Sequence, residues 1–147
     1  MVILAAVDES EQAGAVLSEA DALAAAFDEP IHVLHVMNRS EAIQVEEDSL
    51  TQTDEAIPVD DLRARAANVA AAVVEDHPTD AEPTVAGRIG DPAGEIVSYA
   101  DEHEARYIVV SPQQRSQTGK ILFGSVAQSV LLSANCPVVS LRARSAE

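Results

Sequence analysis

Three short stretches carry groups that could hold a ligand: Asp8-Glu9-Ser10, the loop that follows His35-Val36-Met37, and the Ser111–Phe123 connection, which contains Arg115, Ser116, Thr118 and Lys120 ahead of Gly124-Ser125. The third is the richest. If Gly124-Ser125 opens a helix, its first N–H groups lack intrahelical partners and carry partial positive charge, which suits a phosphate. Gly124 would let the backbone approach closely, and Ser125 adds a hydroxyl. Ordinary helix capping by Ser125 accounts for the same residues, so both readings stay open.

Sharper signatures fail. Thr118-Gly119-Lys120-Ile121 lacks the upstream glycine and the hydroxyl residue after lysine that a P-loop needs. Gly87, Gly90 and Gly94 do not have dinucleotide-fingerprint spacing. His32 and His35 lie three apart in a strand-like run and point to opposite faces, so they cannot share a metal. His77 and His103 end polar helical stretches and read as surface residues; Asp101, Glu102 and Glu104 read as a solvated helix end. Cys136, beside Pro137, reads as a small buried hydrophobe. Ser10 and Ser111 have no histidine near them in sequence to serve as a base.

The elements that would position these groups are legible from periodicity. Val2–Val7, Ile31–Met37, Tyr107–Val110 and Pro137–Leu141 are continuous apolar runs rich in β-branched residues, as expected of strands covered on both faces; Glu82–Ala86 is a weaker fifth. Helical spacing recurs after Ser10, through Ala13, Val16, Leu17, Ala20 and Ala24, and again after Asp60-Asp61. Asp91-Pro92 is a strong helix start, and Asn135-Cys136-Pro137 stops the last helix. The βαβαβαβαβ alternation predicts a single α/β domain over residues 1–147, an open parallel sheet with ligands bound beyond the carboxyl ends of its strands. Residues 38–58 break the rhythm and are expected to form a long acidic loop, a solvated excursion or a lid.

Together, Ala6-Val7-Asp8-Glu9-Ser10, Leu34-His35-Val36, Gly90-Asp91-Pro92, Tyr107-Ile108-Val109-Val110, Gly124-Ser125-Val126-Ala127 and Cys136-Pro137-Val138-Val139 resemble a universal stress protein over nearly the whole chain. The resemblance implies a Rossmann-like sheet of about five parallel strands in the order 3-2-1-4-5, with helices on both faces. It implies a homodimer paired through the last strand, here Val138, Val139, Ser140 and Leu141. In ATP-binding members the acid after strand one, matching Asp8, lies by the nucleotide, and the end of strand two, matching Val36, meets the adenine. ATP, with or without Mg²⁺, is then the implied ligand, with Ser111, Gln114, Arg115, Gly124, Ser125 and Val126 about its phosphates. The chain departs from the family's Gly-x₂-Gly-x₉-Gly-Ser/Thr loop, because Ser111 and Gln114 stand at its first two glycines. Pro112 biases Ser111 toward extended backbone, Gln114 brings a long side chain, and Arg115 and Lys120 offer compensating charge. The competing readings are a stress module that binds ATP and hydrolyses it slowly or not at all, a nucleotide-free homodimeric interaction protein, and an adenine-nucleotide enzyme. The last lacks a Ser-Gly-Gly phosphate signature after strand one.

Composition bounds the partners. The chain has 147 residues, 47% apolar, with no Trp and one Cys, so the core must be aliphatic and no internal disulfide can form. No apolar run suits a membrane span, no basic leader precedes Val2, and a cytoplasmic, reducing location is expected. Net charge is −16, which disfavours nucleic acid and anionic lipid. Residues 1–104 hold 24 acids and four bases, whereas 105–146 hold no acid and five bases. That stretch fits a subunit contact, an anion site, or both. An acidic chain with Lys120 as its one lysine suits concentrated salt, where screening removes self-repulsion, and reads as a halophilic, haloarchaeal-type member. Its melting temperature is accordingly expected to rise from dilute buffer to multimolar KCl; a flat response in a thermal scan would remove the salt adaptation.

Overall fold

A computed structural model describes residues 1–53, 55–111, 113–115 and 121–141. The elements run β1 (Val2–Ala6), α1 (Ala13–Phe27), β2 (Ile31–Met37), α2 (Arg39–Thr53), α3 (Val59–Asp76), β3 (Thr84–Ile89), α4 (Pro92–Glu102), β4 (Ala105–Val110), β5 (Gln113–Arg115), β6 (Ile121–Phe123), α5 (Ser125–Ser133) and β7 (Val138–Ser140). Five strands pair in parallel in the order β3-β2-β1-β4-β7, the expected 3-2-1-4-5 with β7 as its fifth member. Strand order therefore reverses at β1, between β2 and β4.

The continuous apolar runs divide by the pleat. Ile3, Ala5 and Val7 of the first run, with Ile31 and Val33, pack under Val16, Leu17 and Ala20 of α1 and Ala70 and Val73 of α3. Leu4, Leu34, Val36 and Ile108 point the other way, under Ile96, Tyr99 and Ala100 of α4 and Ala127 and Val130 of α5. Both faces are thus covered, as an all-parallel sheet requires. Full burial of Ile3, Leu4, Leu17, Ile31, Leu34 and Ile108 is worth about 1.5–3 kcal/mol per side chain.

Two expectations need correction. Residues 39–53 of the expected acidic loop form helix α2. Asn38 Oδ1 accepts from the Glu41 N–H at 2.8 Å, closing the first turn, and Ala42 and Val45 pack on Met37, Leu62 and Ile57. A polar helix is held here by its cap and one narrow apolar stripe. Helix α1 also begins at Ala13 rather than after Ser10: the Ser10 N–H is turned back to Asp8 Oδ1 at 2.9 Å, so 8–12 form a turn. By contrast Asp91 caps α4 as its sequence suggests, accepting from the Gly94 N–H at 2.9 Å with Pro92 in the first turn. An antiparallel β5–β6 ladder, absent from the sequence reading, follows β4.

β3 packs against α3 through a glycine. A Cβ on Gly87 would lie 2.2 Å from the Arg63 carbonyl oxygen and 2.3 Å from the Ala67 amide nitrogen. Both obstacles are backbone, so neither can swing aside. Gly87→Ala is expected to destabilise the fold by about 1–3 kcal/mol, read as a lower urea midpoint.

A polar cluster joins β2, β3 and α4. His32 Nδ1 and the Tyr99 hydroxyl are 2.6 Å apart, His103 stacks on Tyr99 at 4.1 Å between centroids, and the Arg88 guanidinium lies 4.8 Å over the same ring. Arg88 also pairs with Glu102 and, at 3.9 Å, with Glu95. Burial, and secondarily the neighbouring His103, hold the His32 imidazole below its ordinary pKa of 6.5. The fold favours the neutral ring. Its contribution is therefore complete above about pH 6.5 and is lost as pH falls below that value. Glu29 and Glu102, held low by hydrogen bonds from Arg106 and Arg88 respectively, lose theirs in a more acidic window, below the ordinary carboxylate value. His32→Gln is expected to flatten the decline in urea-measured stability from pH 7 to 5; a variant curve parallel to wild type would count against this assignment.

Candidate functional site

At the carboxyl end of β1 the flanking strands lead in different directions, β2 into α2 and β4 toward the β5–β6 ladder and α5. A cleft of about 350 Å³ opens there. This is where open α/β sheets characteristically bind ligands.

The β1 end supplies Asp8, which lines the cleft from an exposed turn. Its Oδ1 accepts from Ser10 N–H, and Ser10 Oγ accepts from Gln12 N–H at 3.3 Å, so local hydrogen bonds hold the carboxylate at the lip. The β2 end supplies His35 and Val36, both buried. His35 is the one polar residue in the buried core of the described chain, and its Nδ1 lies 2.8 Å from the Val7 carbonyl oxygen. From the first turn of α2 come Asn38 and the exposed Glu41. The β4 end supplies Val110 and Ser111, whose Oγ is buried with no hydrogen-bond partner among the described residues.

The far wall is the start of α5. Gly124 is its N-cap, and Ser125, Val126 and Ala127 follow along the cleft. No side chain caps this end, so the helix-capping reading of Ser125 is not realised; Ser125 is the first helical residue and is exposed. Gly124 has φ −66° and ψ 150°, a conformation open to any residue. Its value here is the absence of a side chain beside the cleft.

Of the expected ligand residues, Asp8, Val36, Ser111, Gly124, Ser125 and Val126 share this one cleft. Gln114 and Arg115 lie on β5 by their backbones, and the side-chain contacts expected of them, with Ser116, Thr118 and Lys120, lie outside the described residues. Sequence reasoning missed the places of Asn38, Glu41 and His35 in the cleft lining. The Asn38-x-x-Glu41 pattern is a helix-start signal that would have found the first two.

Charge is distributed unevenly about the cleft. The carboxylates of Asp8 and Glu41 lie on the β1–α2 side, and the N-terminus of α5 on the other. Such a site suits a ligand with hydrogen-bond donors at one end and negative charge at the other. A second hollow of about 470 Å³ lies behind the β1–α1 turn, between Glu9–Glu11 and Arg65, Val69 and His77 of α3 and its end. Asp8 borders it too, but the other expected ligand residues do not.

The edge strand β7 lies away from the cleft. Val139 and Leu141 pack partly on the α1 side of the sheet and Val138 on the α4–α5 side, all half-buried. β7 pairs only with β4 among the described strands. On neighbouring α5, Leu131 is exposed and Leu132 is 81% exposed.

A protein-family model described as the universal stress protein family matches residues 1–142. A curated relative, a universal stress protein of Methanocaldococcus jannaschii, is 40% identical over 53 residues; the match spans 36% of this chain and 31% of the relative. A solved universal stress protein from Archaeoglobus fulgidus is 28% identical, with 97% of this chain and 98% of that one covered and a TM-score of 0.66. The structure of the universal stress protein from Archaeoglobus fulgidus in complex with dAMP is 25% identical, covers 97% and 98% of the two chains, and gives a TM-score of 0.59. Among the described residues no helix is long and apolar enough to cross a membrane.

Proposed function

We propose, for a chain that belongs to the universal stress protein family, that the cleft at the strand ends holds an adenine nucleotide and that the protein works as a homodimeric binding module. The observation that carries this reading is the convergence of Asp8, Val36, Ser111, Gly124 and Ser125 on one cleft with an uncapped helix N-terminus in its wall. The relative bound to dAMP supports an adenine ligand. In this reading the base lies toward Val36, and the phosphates lie toward Gly124-Ser125 and the N–H groups of α5.

ATP is one nucleotide the site would take. Among the described residues no three carboxylate, imidazole or thiol groups converge as a metal site. Mg²⁺ would accordingly arrive on the phosphates, as it does where phosphates supply most of its ligands. The chain's own residues then bind and orient; none is assigned a chemical step. Signal output in this proposal is association, with the outer edge of β7 and the neighbouring α5 apolar residues Leu131 and Leu132 as the self-pairing face. The nucleotide-free alternative uses the same face without the ligand.

The test is extraction of small molecules from protein purified in high salt, followed by calorimetric titration with ATP, ADP and AMP. Binding is expected, and Gly124→Val, which puts a branched side chain where phosphate would lie, should weaken it at least roughly tenfold by removing charge-assisted hydrogen bonds worth about 1.5–3 kcal/mol. No uptake at millimolar nucleotide would leave the nucleotide-free module.

A further inference from the structure

His35 is 6% exposed and is the buried core's one polar residue among those described. A buried polar group normally has its hydrogen-bonding capacity met. Half of His35's is met: Nδ1 lies 2.8 Å from the Val7 carbonyl oxygen. A carbonyl only accepts, so Nδ1 carries the hydrogen. In the neutral ring Nε2 then holds a lone pair and is an acceptor. No described residue donates to it. The ring forms part of the cleft lining, beside Val36.

Across the end of β1, Ser111 lines the same cleft with its hydroxyl buried and without a hydrogen-bond partner among the described residues. An imidazole nitrogen without a described donor and a buried hydroxyl, on the β2 and β4 sides of Val7, suit a polar occupant on the floor of the cleft. On the β1–α2 side the cleft offers acceptors: His35 Nε2 and the carboxylates of Asp8 and Glu41. Such a wall calls for a ligand group that donates.

Resting on the adenine-nucleotide reading, we infer that His35 is a ligand-contacting residue whose Nε2 accepts a hydrogen bond from a hydroxyl or amino group of the bound nucleotide. The Val7 bond fixes the ring and its tautomer, so the acceptor is in place before the ligand arrives. A purely structural histidine would need the Val7 bond alone.

The two roles separate in His35→Asn, whose side-chain amide can still donate to Val7 but has no atom at the Nε2 position. AMP binding by this variant is expected to weaken roughly three- to tenfold with little change in melting temperature. Nitrogen-15 spectra of the wild-type imidazole read the same point without a variant: Nδ1 protonated in the free protein, and Nε2 shifting upfield when AMP is added. Wild-type titrations with 2′-deoxy-AMP, 3′-deoxy-AMP and purine riboside monophosphate locate the donor. One analogue should lose the same factor in wild type, and no further factor in His35→Asn. A proton on Nε2 in the free protein, an Nε2 signal unmoved by bound AMP, or undiminished binding by folded His35→Asn would overturn the inference while leaving the nucleotide reading intact. Absence of any nucleotide binding by wild type would overturn both. Should His35→Asn not fold, the wild-type nitrogen spectra decide.

Discussion

β1 has neither an edge nor a face left for water. β2 and β4 pair with its two edges, while Ile3 and Ala5 lie under α1 and α3 and Leu4 lies beneath the α4–α5 layer. A chain so enclosed can meet a ligand only at its ends. At the carboxyl end the order of the sheet reverses, and the segments after β2 and β4 part to reach α2 and α5. The gap they leave is the cleft. Val7, just beyond β1, is tied to the β2 wall: its N–H donates to the Leu34 carbonyl, and its own carbonyl accepts from His35.

The opposite end of the sheet is closed by different chemistry. Arg106, at the start of β4, donates to Glu29 at 3.0 Å and lies 4.8 Å over the Phe27 ring, which in turn meets Tyr107. Glu29 lies in the α1–β2 connection, so this ion pair binds β4 to the turn entering β2. An aliphatic core with few aromatics depends on small residues for close approach. Ala66, Ala70 and Gly87 let α3 settle on the sheet, and Ala20 and Ala24 do the same for α1. The acids crowd outward onto helix surfaces, where in dilute salt they repel one another and work against this close packing.

Much of this was legible before any coordinates. Strands covered on both faces show themselves as unbroken β-branched runs, and Asp91-Pro92 announces α4 because the cap and the imino ring act within a single turn. α2 was hidden because its acids outweigh its narrow Ala42–Val45 stripe, although the Asn38-x-x-Glu41 cap was present. The start of α1 at Ala13 is likewise a matter of local bonds: the Ser10 N–H donates to Asp8 Oδ1 and its Oγ accepts from the Gln12 N–H, which keeps 8–12 in a turn. β5 and β6 are three residues each, too short to leave a periodic trace.

The sequence by itself determined the class of the fold, the faces of its strands and helices, the acidic balance and most of the segments that reach the strand ends. Those properties depend on neighbours within a turn or a pleat. Tertiary structure alone decided that Asp8, His35, Glu41, Ser111 and Gly124, spread over more than a hundred residues, border one cleft. It also decided that His35, which by spacing was only a failed metal ligand, turns one nitrogen to the Val7 carbonyl. Periodicity states which side of a strand is buried. Which strand lies beside it, and in what register, is settled by long-range pairing and by helices packing across the sheet.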